Sequence, residues 1–381
     1  MTLEKLRLRH FRNYVALDLE LHPGKNILAG DNGQGKTNIL EAVYLCGTGS
    51  SNRTSRDVEL IRWGDPAFYA ASSFLRRDEP FLVEVTCDQD TGKRIKVNGV
   101  LQESTTEHIG AASIVIFGPD DLRIIKGGPV DRRRFLDTEI AAVNARYRRD
   151  LGAYRRVLMQ RNALLRDARY STRSAKSAQD TALDVWDDQL VSAGTRVMLK
   201  RAQAVRRLSI LAKLAHRHIS SDGDLELVYR PSFHVETAQE VGDQDTLHKW
   251  AASFRQELLR LRELEVTRGV TLVGPHRDEL SFIVDGVDMR TFGSQGQQRA
   301  VLLAVRLAEL EFVKSELGED AILLLDDVSS ELDPLKRTRL WTYISGRVQT
   351  IITTTDERSL GDALGAARVF RVKGGVVEEG R

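Results

Sequence analysis

Residues 30–37 have the residue types and spacing of a phosphate-binding loop, G-x-x-x-x-G-K-[ST]. Glycines at fixed positions let backbone N–H groups turn inward around phosphate oxygens. Lys36 can reach the β- and γ-phosphates, and the Thr37 hydroxyl can ligate Mg²⁺. A ligand-free glycine-rich turn is the alternative. We predict a site for ATP and Mg²⁺ formed by Gly30, Asp31, Asn32, Gly33, Gln34, Gly35, Lys36 and Thr37.

Two adjacent carboxylates, Asp326 and Asp327, end the apolar stretch 322–325. A phosphate site that uses Mg²⁺ needs a carboxylate for the metal, and a buried strand that ends in acids can supply it. We assign Asp326 to the metal, directly or through water, together with Thr37. Asp327 is assigned to polarise the attacking water, and with Lys36 it forms the predicted catalytic pair. Taken alone, the motif also fits an ordinary strand that ends in an acidic turn.

Hydrophobic periodicity predicts the strands that must position these groups. Residues 15–21 alternate apolar and charged side chains, and the short strand 25–29 leads into the phosphate loop. Hairpin turns are predicted at Asn98-Gly99, Asp285-Gly286 and Gly374-Gly375. Further strands are predicted at 80–88, 93–102, 113–117, 281–284, 287–291, 321–325, 348–353 and 367–378.

A helical region separates the β-rich N-terminal part from the α/β C-terminal part. Apolar residues keep helical spacing over 147–165 and again over 190–215, on either side of the small polar stretch 167–181. This pattern predicts two long antiparallel helices that form an arm. A third helix is predicted at about 246–266, and Trp186, Trp250 and Phe254 fall on these stripes, where core packing is favoured over base stacking.

The helical region carries a surplus of positive charge. Residues 132–218 contain twenty Lys or Arg and eight Asp or Glu, a surplus of +12, while the net charge of +2 leaves −10 for the rest. Such a block indicates a polyanion partner, although a solvated helical surface would look the same. The candidate DNA contacts are Arg132, Arg133, Arg148, Arg149, Arg155 and Arg156. At the base of the arm, Arg132, Arg133 and Arg134 could instead cap the interface between the lobes.

Composition excludes several classes of protein. The chain of 381 residues is 41% hydrophobic and 29% charged, and no window has the ~18 uninterrupted apolar residues of a membrane span. The N-terminus lacks the apolar region of a secretory signal. Cys46 and Cys87 cannot form a disulfide framework or a zinc site. We therefore expect a cytoplasmic protein without a membrane partner.

Two further motifs follow the phosphate loop in the order found in the ATP-binding-cassette (ABC) class. Residues 294–299, SQGQQR, open a predicted long helix and resemble the signature motif of that class. Residues 329–333, SSELD, resemble its D-loop and come directly after the acidic pair. A transporter subunit of the class would place the signature much closer to the phosphate loop than the 264 residues that separate Gly30 from Ser294. A soluble kinase would need no signature, and a structural SMC tether would need a far longer arm.

Four more stretches make the resemblance more specific: 11–14 (FRNY), 119–137, 274–278 (GPHRD) and 332–336 (LDPLK). Together they resemble the RecF family of bacterial recombination mediators, within the SMC-like ATPases, over about residues 3–372. The resemblance implies an α/β fold: an ABC-type P-loop ATPase head, with a mixed sheet and an antiparallel β-subdomain, and an inserted helical lobe. The head is expected at 1–130 and 270–381, and the lobe at 131–269.

The resemblance also implies a function. ATP would bring two heads into a homodimer, with each nucleotide held between the phosphate loop of one and the signature of the other. On this basis Arg12, Asn13, Ser294, Gly296 and Gln297 are assigned to the nucleotide. Such proteins bind duplex DNA and junctions of single-stranded and duplex DNA, hydrolyse ATP weakly with DNA stimulation, and act with RecR and RecO to place RecA on gapped DNA in repair and the SOS response. The alternative is an SMC-like or ABC-class ATPase that does not act on DNA.

Three departures from the wider class are visible. Asp327 stands where transporters carry Glu and is one methylene shorter, so we expect slow hydrolysis. Residues 353–356, TTTD, stand where transporters place a His. The glutamine loop of the class is not identified, although residues 117–120 could replace it.

His276 and Arg277 either lie near nucleotide or DNA, or form a polar turn with a surface His.

Overall fold

The computed structural model describes residues 1–102, 111–169, 176–220, 222–235, 244–328, 332–357, 360–361 and 367–380. Ser329, Ser330 and Glu331 of the predicted D-loop, and residues 170–175 of the predicted polar stretch, lie outside the described residues.

The chain divides into two compact units. The first contains 1–122, 211–224 and 294–381, and the second contains 123–210 and 225–293. The chain thus passes between the units after 122 and 293, whereas the predicted boundaries lie at 130 and 269. The short segment 211–224 belongs to the first unit, which the sequence pattern does not indicate.

One sheet of the first unit is antiparallel. Its strands, numbered along the chain, are β1 (Thr2–Phe11), β2 (Tyr14–Glu20), β4 (Ala67–Arg76), β5 (Glu79–Asp88), β6 (Gly92–Val97) and β7 (Val100–Leu101). They pair in the order β2-β1-β4-β5-β6-β7. In β2 the buried Leu17 and Leu19 flank the exposed Asp18, as the alternating pattern predicts. Asn98 and Gly99 both have positive φ, 49° and 80°, which fits the predicted hairpin turn.

The other sheet of this unit is mostly parallel. Its strands are β3 (Lys25–Ala29), β8 (Ile114–Phe117), β12 (Ile322–Asp326), β13 (Thr350–Thr354), β14 (Ala367–Lys373) and β15 (Val376–Glu379). The order is β15-β14-β3-β13-β12-β8, and only β15 runs antiparallel to its neighbour. The predicted strands that flank the phosphate loop and the acidic pair are therefore confirmed.

Helix α1 (Lys36–Thr48) packs between the two sheets. Its apolar residues, among them Ile39, Leu40 and Val43, are buried in one core with side chains of both sheets. A helix that is apolar on most of its surface is expected to be covered on both sides. The unit also contains α6 (Gln295–Leu317), α7 (Pro334–Ile344) and the 3₁₀ turns Asp57–Leu60 and Pro119–Leu122.

The second unit is mainly helical. It contains the single turn Arg123–Lys126, α2 (Pro129–Val143), α3 (Ala145–Ala168), most of α4 (Lys176–Ile219) and α5 (Gln244–Arg268). The strands β9 (Leu225–Arg230), β10 (Glu279–Val284) and β11 (Val287–Asp288) form an antiparallel sheet in the order β11-β10-β9. The described part of the chain contains no helix that is both long and apolar enough to cross a membrane.

The predicted pair of antiparallel helices is present as α3 and α4. The ion pairs Arg196–Asp150 and Arg161–Asp187 join them in opposite directions. The predicted loop over 167–181 is wrong at its C-terminal end, because α4 already begins at Lys176. That end of the stretch contains Lys, Ala and Gln, which have high helix propensity. The small and polar side chains of the stretch therefore do not exclude a helix there.

Candidate functional site

The predicted phosphate loop and acidic pair meet at one edge of the parallel sheet. Ala29, the last residue of β3, lies opposite Thr354 of β13, and Thr353 lies opposite Asp326, the last residue of β12. The carboxyl ends of these strands therefore lie side by side. In open α/β sheets this edge is where ligands bind.

The loop requires glycine at two positions because other backbone and side-chain groups approach it closely. A Cβ on Gly30 would clash with the carbonyl oxygen of Val372. Gly35 has φ +114°, and a Cβ there would lie 2.5 Å from the Asn13 amide nitrogen and 2.8 Å from the Tyr14 hydroxyl. The motif glycines thus serve close packing as well as backbone conformation.

The tip of the β1–β2 hairpin and the tip of the β14–β15 hairpin both hold the loop. Asn13 Nδ2 donates to the Gln34 carbonyl at 3.0 Å, and Tyr14 donates to the Gly35 carbonyl at 3.0 Å. On the other side, Gly374 N–H donates to Gln34 Oε1 at 2.6 Å. Asn13 therefore positions the loop backbone in this structure, and its predicted contact with nucleotide stays a prediction.

Lys36 lies inside the loop that its own motif forms. Its ammonium donates to the carbonyl oxygens of Gly30 at 2.5 Å and Asp31 at 2.8 Å, and the side chain is almost fully buried. Burial lowers the pKa of Lys36, while the nearby charges of Asp327 and Asp326 act to raise it. The two acids, 290 residues later in sequence, are thus close to the loop lysine.

Asp326 accepts two hydroxyl hydrogen bonds on one carboxylate oxygen. Thr37 Oγ1 donates to Asp326 Oδ1 at 2.8 Å, and Thr353 Oγ1 donates to the same atom at 2.7 Å. A threonine hydroxyl and a carboxylate are oxygen ligands of the kind that Mg²⁺ prefers, so the residues present fit the ion. The structure brings together the two residues predicted for the metal.

Asp327 has an unusual backbone conformation. Its φ is +51°, which is uncommon for a residue with a Cβ, and its N–H donates to Thr353 Oγ1 at 2.9 Å. The sequence-based reasoning missed Thr353. Three of the five residues of β13 are threonines, Thr350, Thr353 and Thr354, so the sequence alone does not single out Thr353.

The signature residues lie at the exposed N-terminus of α6. Ser294 caps the helix: its Oγ accepts the Gln297 N–H at 3.3 Å, and Gln297 Oε1 accepts the Ser294 N–H at 2.9 Å. No atom lies within 4 Å of a Cβ built on Gly296, so its backbone is open to close approach. Asp31, Asn32 and Gly33 similarly lie at the open side of the loop.

A chain of contacts connects Asp326 with the signature helix. Gly118 lies beside Asp326, because a Cβ on Gly118 would be 3.4 Å from the Asp326 Cβ. The Gly118 N–H donates to Asp121 at 3.0 Å, and Asp121 accepts from Arg306 of α6 at 2.9 Å. The segment 117–120, the predicted substitute for a glutamine loop, thus lies next to Asp326.

Arg12 is held by a buried acid on α1. Its guanidinium makes two hydrogen bonds to the Glu41 carboxylate, at 2.9 and 2.8 Å, and Glu41 is fully buried. Arg53 and Ser51 also bind this carboxylate. The predicted contact of Arg12 with nucleotide stays a prediction. Glu41 was missed, although a lone acid in an apolar helix is a usable signal.

The structure corrects the list of candidate DNA contacts. Arg132 is 2% exposed and binds both carboxylate oxygens of Glu279, at 2.6 and 2.7 Å, so it does not lie on a surface. Sequence charge counts do not report burial, which explains the error. Three of the other candidate arginines already donate hydrogen bonds within the protein. Arg133 donates to the Asp278 carbonyl, Arg148 donates to the Ala141 carbonyl, and Arg155 donates to the Asp137 carboxylate.

Arg149 and Arg156 are exposed on α3. Neither guanidinium has a hydrogen bond or an ion pair to another residue of the described ranges. They are seven residues apart, which places them on one side of the helix at a separation of about 10 Å. Of the six predicted contacts, these two are the guanidinium groups most open to a phosphate.

His276, Trp250 and Phe254 belong to the interior of the second unit. Phe254 stacks on Phe233 with ring centroids 5.0 Å apart, and both Trp250 and Phe254 are buried, which confirms core packing for these two. His276 Nε2 donates to the Thr271 carbonyl at 3.0 Å, while its Nδ1 lies 2.6 Å from the Tyr154 hydroxyl. Burial lowers the pKa of His276 to about 4. His276 is thus half-buried with both ring nitrogens engaged, unlike an ordinary surface His, whereas Arg277 is exposed.

Comparison with known proteins gives matches over the whole chain. The pattern of the RecF/RecN/SMC N terminal domain matches residues 2–378. DNA replication and repair protein RecF of Symbiobacterium thermophilum is 43% identical over 382 residues, covering 99% of this chain and 98% of that protein. The protein of the same name from Bacillus subtilis is 40% identical over 379 residues, covering 99% and 100%.

Two solved structures extend the comparison. The recombination mediator protein RecF with ATP, from the RecFOR pathway, has a TM-score of 0.89 at 32% identity and covers 100% of this chain and 98% of that chain. The Smc head bound to the C-winged helix domain of ScpA has a TM-score of 0.56 at 17% identity, so it shows the fold alone. The predicted fold, an ABC-type ATPase head with a helical lobe, is confirmed.

Proposed function

This chain belongs to the RecF family of SMC-like ATPases, and from that premise we propose that it is an ATP-dependent DNA-binding protein of replication-gap and recombinational repair. The observation that carries the proposal is the hydrogen bond between Thr37 and Asp326, which are 289 residues apart in sequence. It joins the phosphate loop to the acidic pair in the arrangement that phosphoryl-transfer sites use.

ATP would bind with its β- and γ-phosphates in the loop of residues 30–37. Lys36 would bind these phosphates in place of the carbonyl oxygens that it contacts now. Thr37 and Asp326 would hold Mg²⁺, which, when bound, neutralises charge on the phosphates. Asp327 would orient and polarise the attacking water. Because its side chain is shorter than that of Glu, we expect slow hydrolysis, which DNA would stimulate.

The signature residues would act on a second copy of the chain. Ser294 and Gly296 are exposed and Gln297 is half-buried, and all three lie at a helix N-terminus, where backbone N–H groups and the helix dipole favour anions. The γ-phosphate of ATP in the partner's loop is the anion expected there. ATP binding would therefore favour a homodimer with two composite sites.

DNA would contact the helical lobe at Arg149 and Arg156. Duplex DNA and junctions between single-stranded and duplex DNA are the proposed ligands. On the same family basis, RecR and RecO are the proposed partners, with RecA loading on gapped DNA and support of the SOS response as the outcome in the cytoplasm. The lobe, predicted at 131–269, and the head, predicted at 1–130 and 270–381, are proposed to correspond to the second and the first compact unit.

The test is binding to a gapped duplex with and without ATP and Mg²⁺, for the wild type and for Lys36→Ala. The wild type should bind more tightly with ATP, and Lys36→Ala should lose ATP binding in a calorimeter and, with it, the gain in DNA affinity. ATP binding without any DNA binding would instead favour an SMC-like or ABC-class ATPase that does not act on DNA. Lys36→Ala with unchanged ATP affinity would contradict the nucleotide site itself.

A further inference from the structure

We infer that Thr353 is a positioning residue of the ATPase reaction, because its single hydroxyl binds both acids of the acidic pair, Asp326 and Asp327. The inference rests on the proposed ATPase function. Thr353 lies on β13 in register with Asp326 of β12, and its side chain is fully buried. It would contact neither nucleotide nor water, and it would act only through Asp326 and Asp327.

The hydroxyl of Thr353 uses both of its hydrogen-bonding roles. It donates its one hydrogen to Asp326 Oδ1 at 2.7 Å, and it accepts the backbone N–H of Asp327 at 2.9 Å. One side chain on the neighbouring strand thus fixes the carboxylate of one acid and the backbone of the next. A buried hydroxyl with both roles filled is held in a single orientation, so it restricts the orientation of the two groups that it binds.

The bond to Asp326 determines which of its oxygens is free for a cation. Oδ1 already accepts from Thr37 and Thr353, whereas Oδ2 accepts no hydrogen bond from any residue in the described ranges. The two hydroxyls therefore set the rotation of the carboxylate and leave Oδ2 available to a cation. Without Thr353, only Thr37 would remain to orient it, and Thr37 is itself a predicted ligand of the metal.

The bond to Asp327 stabilises a backbone conformation that this residue would otherwise avoid. A φ of +51° crowds the Cβ of an L-residue against its own backbone. The Asp327 N–H donates to Thr353, which lies in a buried strand paired with β12 on one side and β3 on the other and is held in place by both. Loss of this bond would let the Asp327 backbone relax, and the proposed base would then leave its position.

The test compares Thr353→Val, Thr353→Ser and Thr350→Val. Valine keeps the shape of threonine and removes only the hydroxyl, while serine keeps the hydroxyl. Thr350 is the matched control, because it lies on the same strand and is fully buried, and because its hydroxyl bonds, among the described residues, only to the Val348 carbonyl, at 3.3 Å. Thermal unfolding of each variant establishes that it folds, and if Thr353→Val does not fold, Thr353→Cys replaces it as a weak hydrogen-bonding substitute.

We expect kcat of Thr353→Val to fall about tenfold or more, the loss of one hydrogen bond to a charged group. The affinity for ATP in EDTA should stay within about threefold, while the increase in ATP affinity on adding Mg²⁺, measured by calorimetry, should shrink by about tenfold. Thr353→Ser should restore both quantities, and Thr350→Val should change neither.

A Thr353→Val protein with wild-type kcat and a wild-type Mg²⁺ effect would overturn the inference and leave the proposed function intact. An equal loss in Thr350→Val would also overturn it, because a general weakening of the strand would then explain the effect. Absence of ATP hydrolysis in the wild type would instead contradict the proposed function.

Discussion

The clearest prediction about DNA concerns Arg149 and Arg156, which are exposed on α3 and make no ion pair with another described residue. A separation of about 10 Å lets the two cations contact different phosphates. Each neutralised phosphate contributes about 0.9 to the slope of log affinity against log salt. Replacing both arginines by Gln should therefore reduce that slope by about 1.8, and binding should become about tenfold less sensitive between 50 and 200 mM salt.

The assay is a salt titration of duplex binding in the presence of ATP and Mg²⁺. The matched control is Arg255→Gln with Arg260→Gln, which removes the same charge from the same unit. These side chains are also exposed, but they are engaged by Asp188 and Glu257. The control should change the slope by less than about 0.5, and dimerisation should survive in both proteins. Equal slopes for the wild type and the test variant would refute the assignment of α3 to DNA.

Two further changes test the acids and the half-buried histidine. Asp327→Asn should keep ATP affinity but slow hydrolysis by about a hundredfold or more, which would leave a persistent dimer. Asp326→Asn should weaken ATP binding only when Mg²⁺ is present. If both variants hydrolyse ATP at the wild-type rate, neither acid has its proposed role. The folded pKa of His276, about 4, lies below the unfolded value of 6.5, so the unfolded chain binds the proton first as the pH falls. The free energy of unfolding of the wild type should then decrease by up to about 3 kcal/mol between pH 6.5 and 4 because of this group. In urea titrations, the free energy of unfolding of His276→Gln should fall less than that of the wild type between pH 6.5 and 5.

The nucleotide site could be predicted from sequence because its determinants are local. The phosphate loop is one continuous motif, and Asp326 directly follows an apolar run, so each half can be recognised without its partner. The strand register that brings Thr353 onto Asp326 is a tertiary property, which explains why this contact was missed. The same holds for Arg12 and Glu41, which are 29 residues apart and meet only when α1 packs below the β1–β2 hairpin.

The helical unit shows where composition was misleading. A surplus of positive charge indicates a basic surface, but it does not distinguish Arg132, buried on Glu279, from Arg149 on the outside of α3. The GPHRD stretch reads as a polar turn, and it forms one, but the half-buried His276 of this turn also contacts Tyr154 and Thr271. Polar groups of this kind can be placed only when their hydrogen-bond partners are known.

The composite ATP site is tested most directly by light scattering of the wild type and Ser294→Arg with ATP and Mg²⁺, with Ser345→Arg as a control at another exposed serine. The wild type and the control should shift from the mass of one 42.8-kDa chain to twice that mass. Ser294→Arg should stay monomeric while it binds ATP with wild-type affinity, because its own phosphate loop is unchanged. A Ser294→Arg protein that dimerises normally with ATP, or a wild type that stays monomeric, would contradict the proposed sandwich.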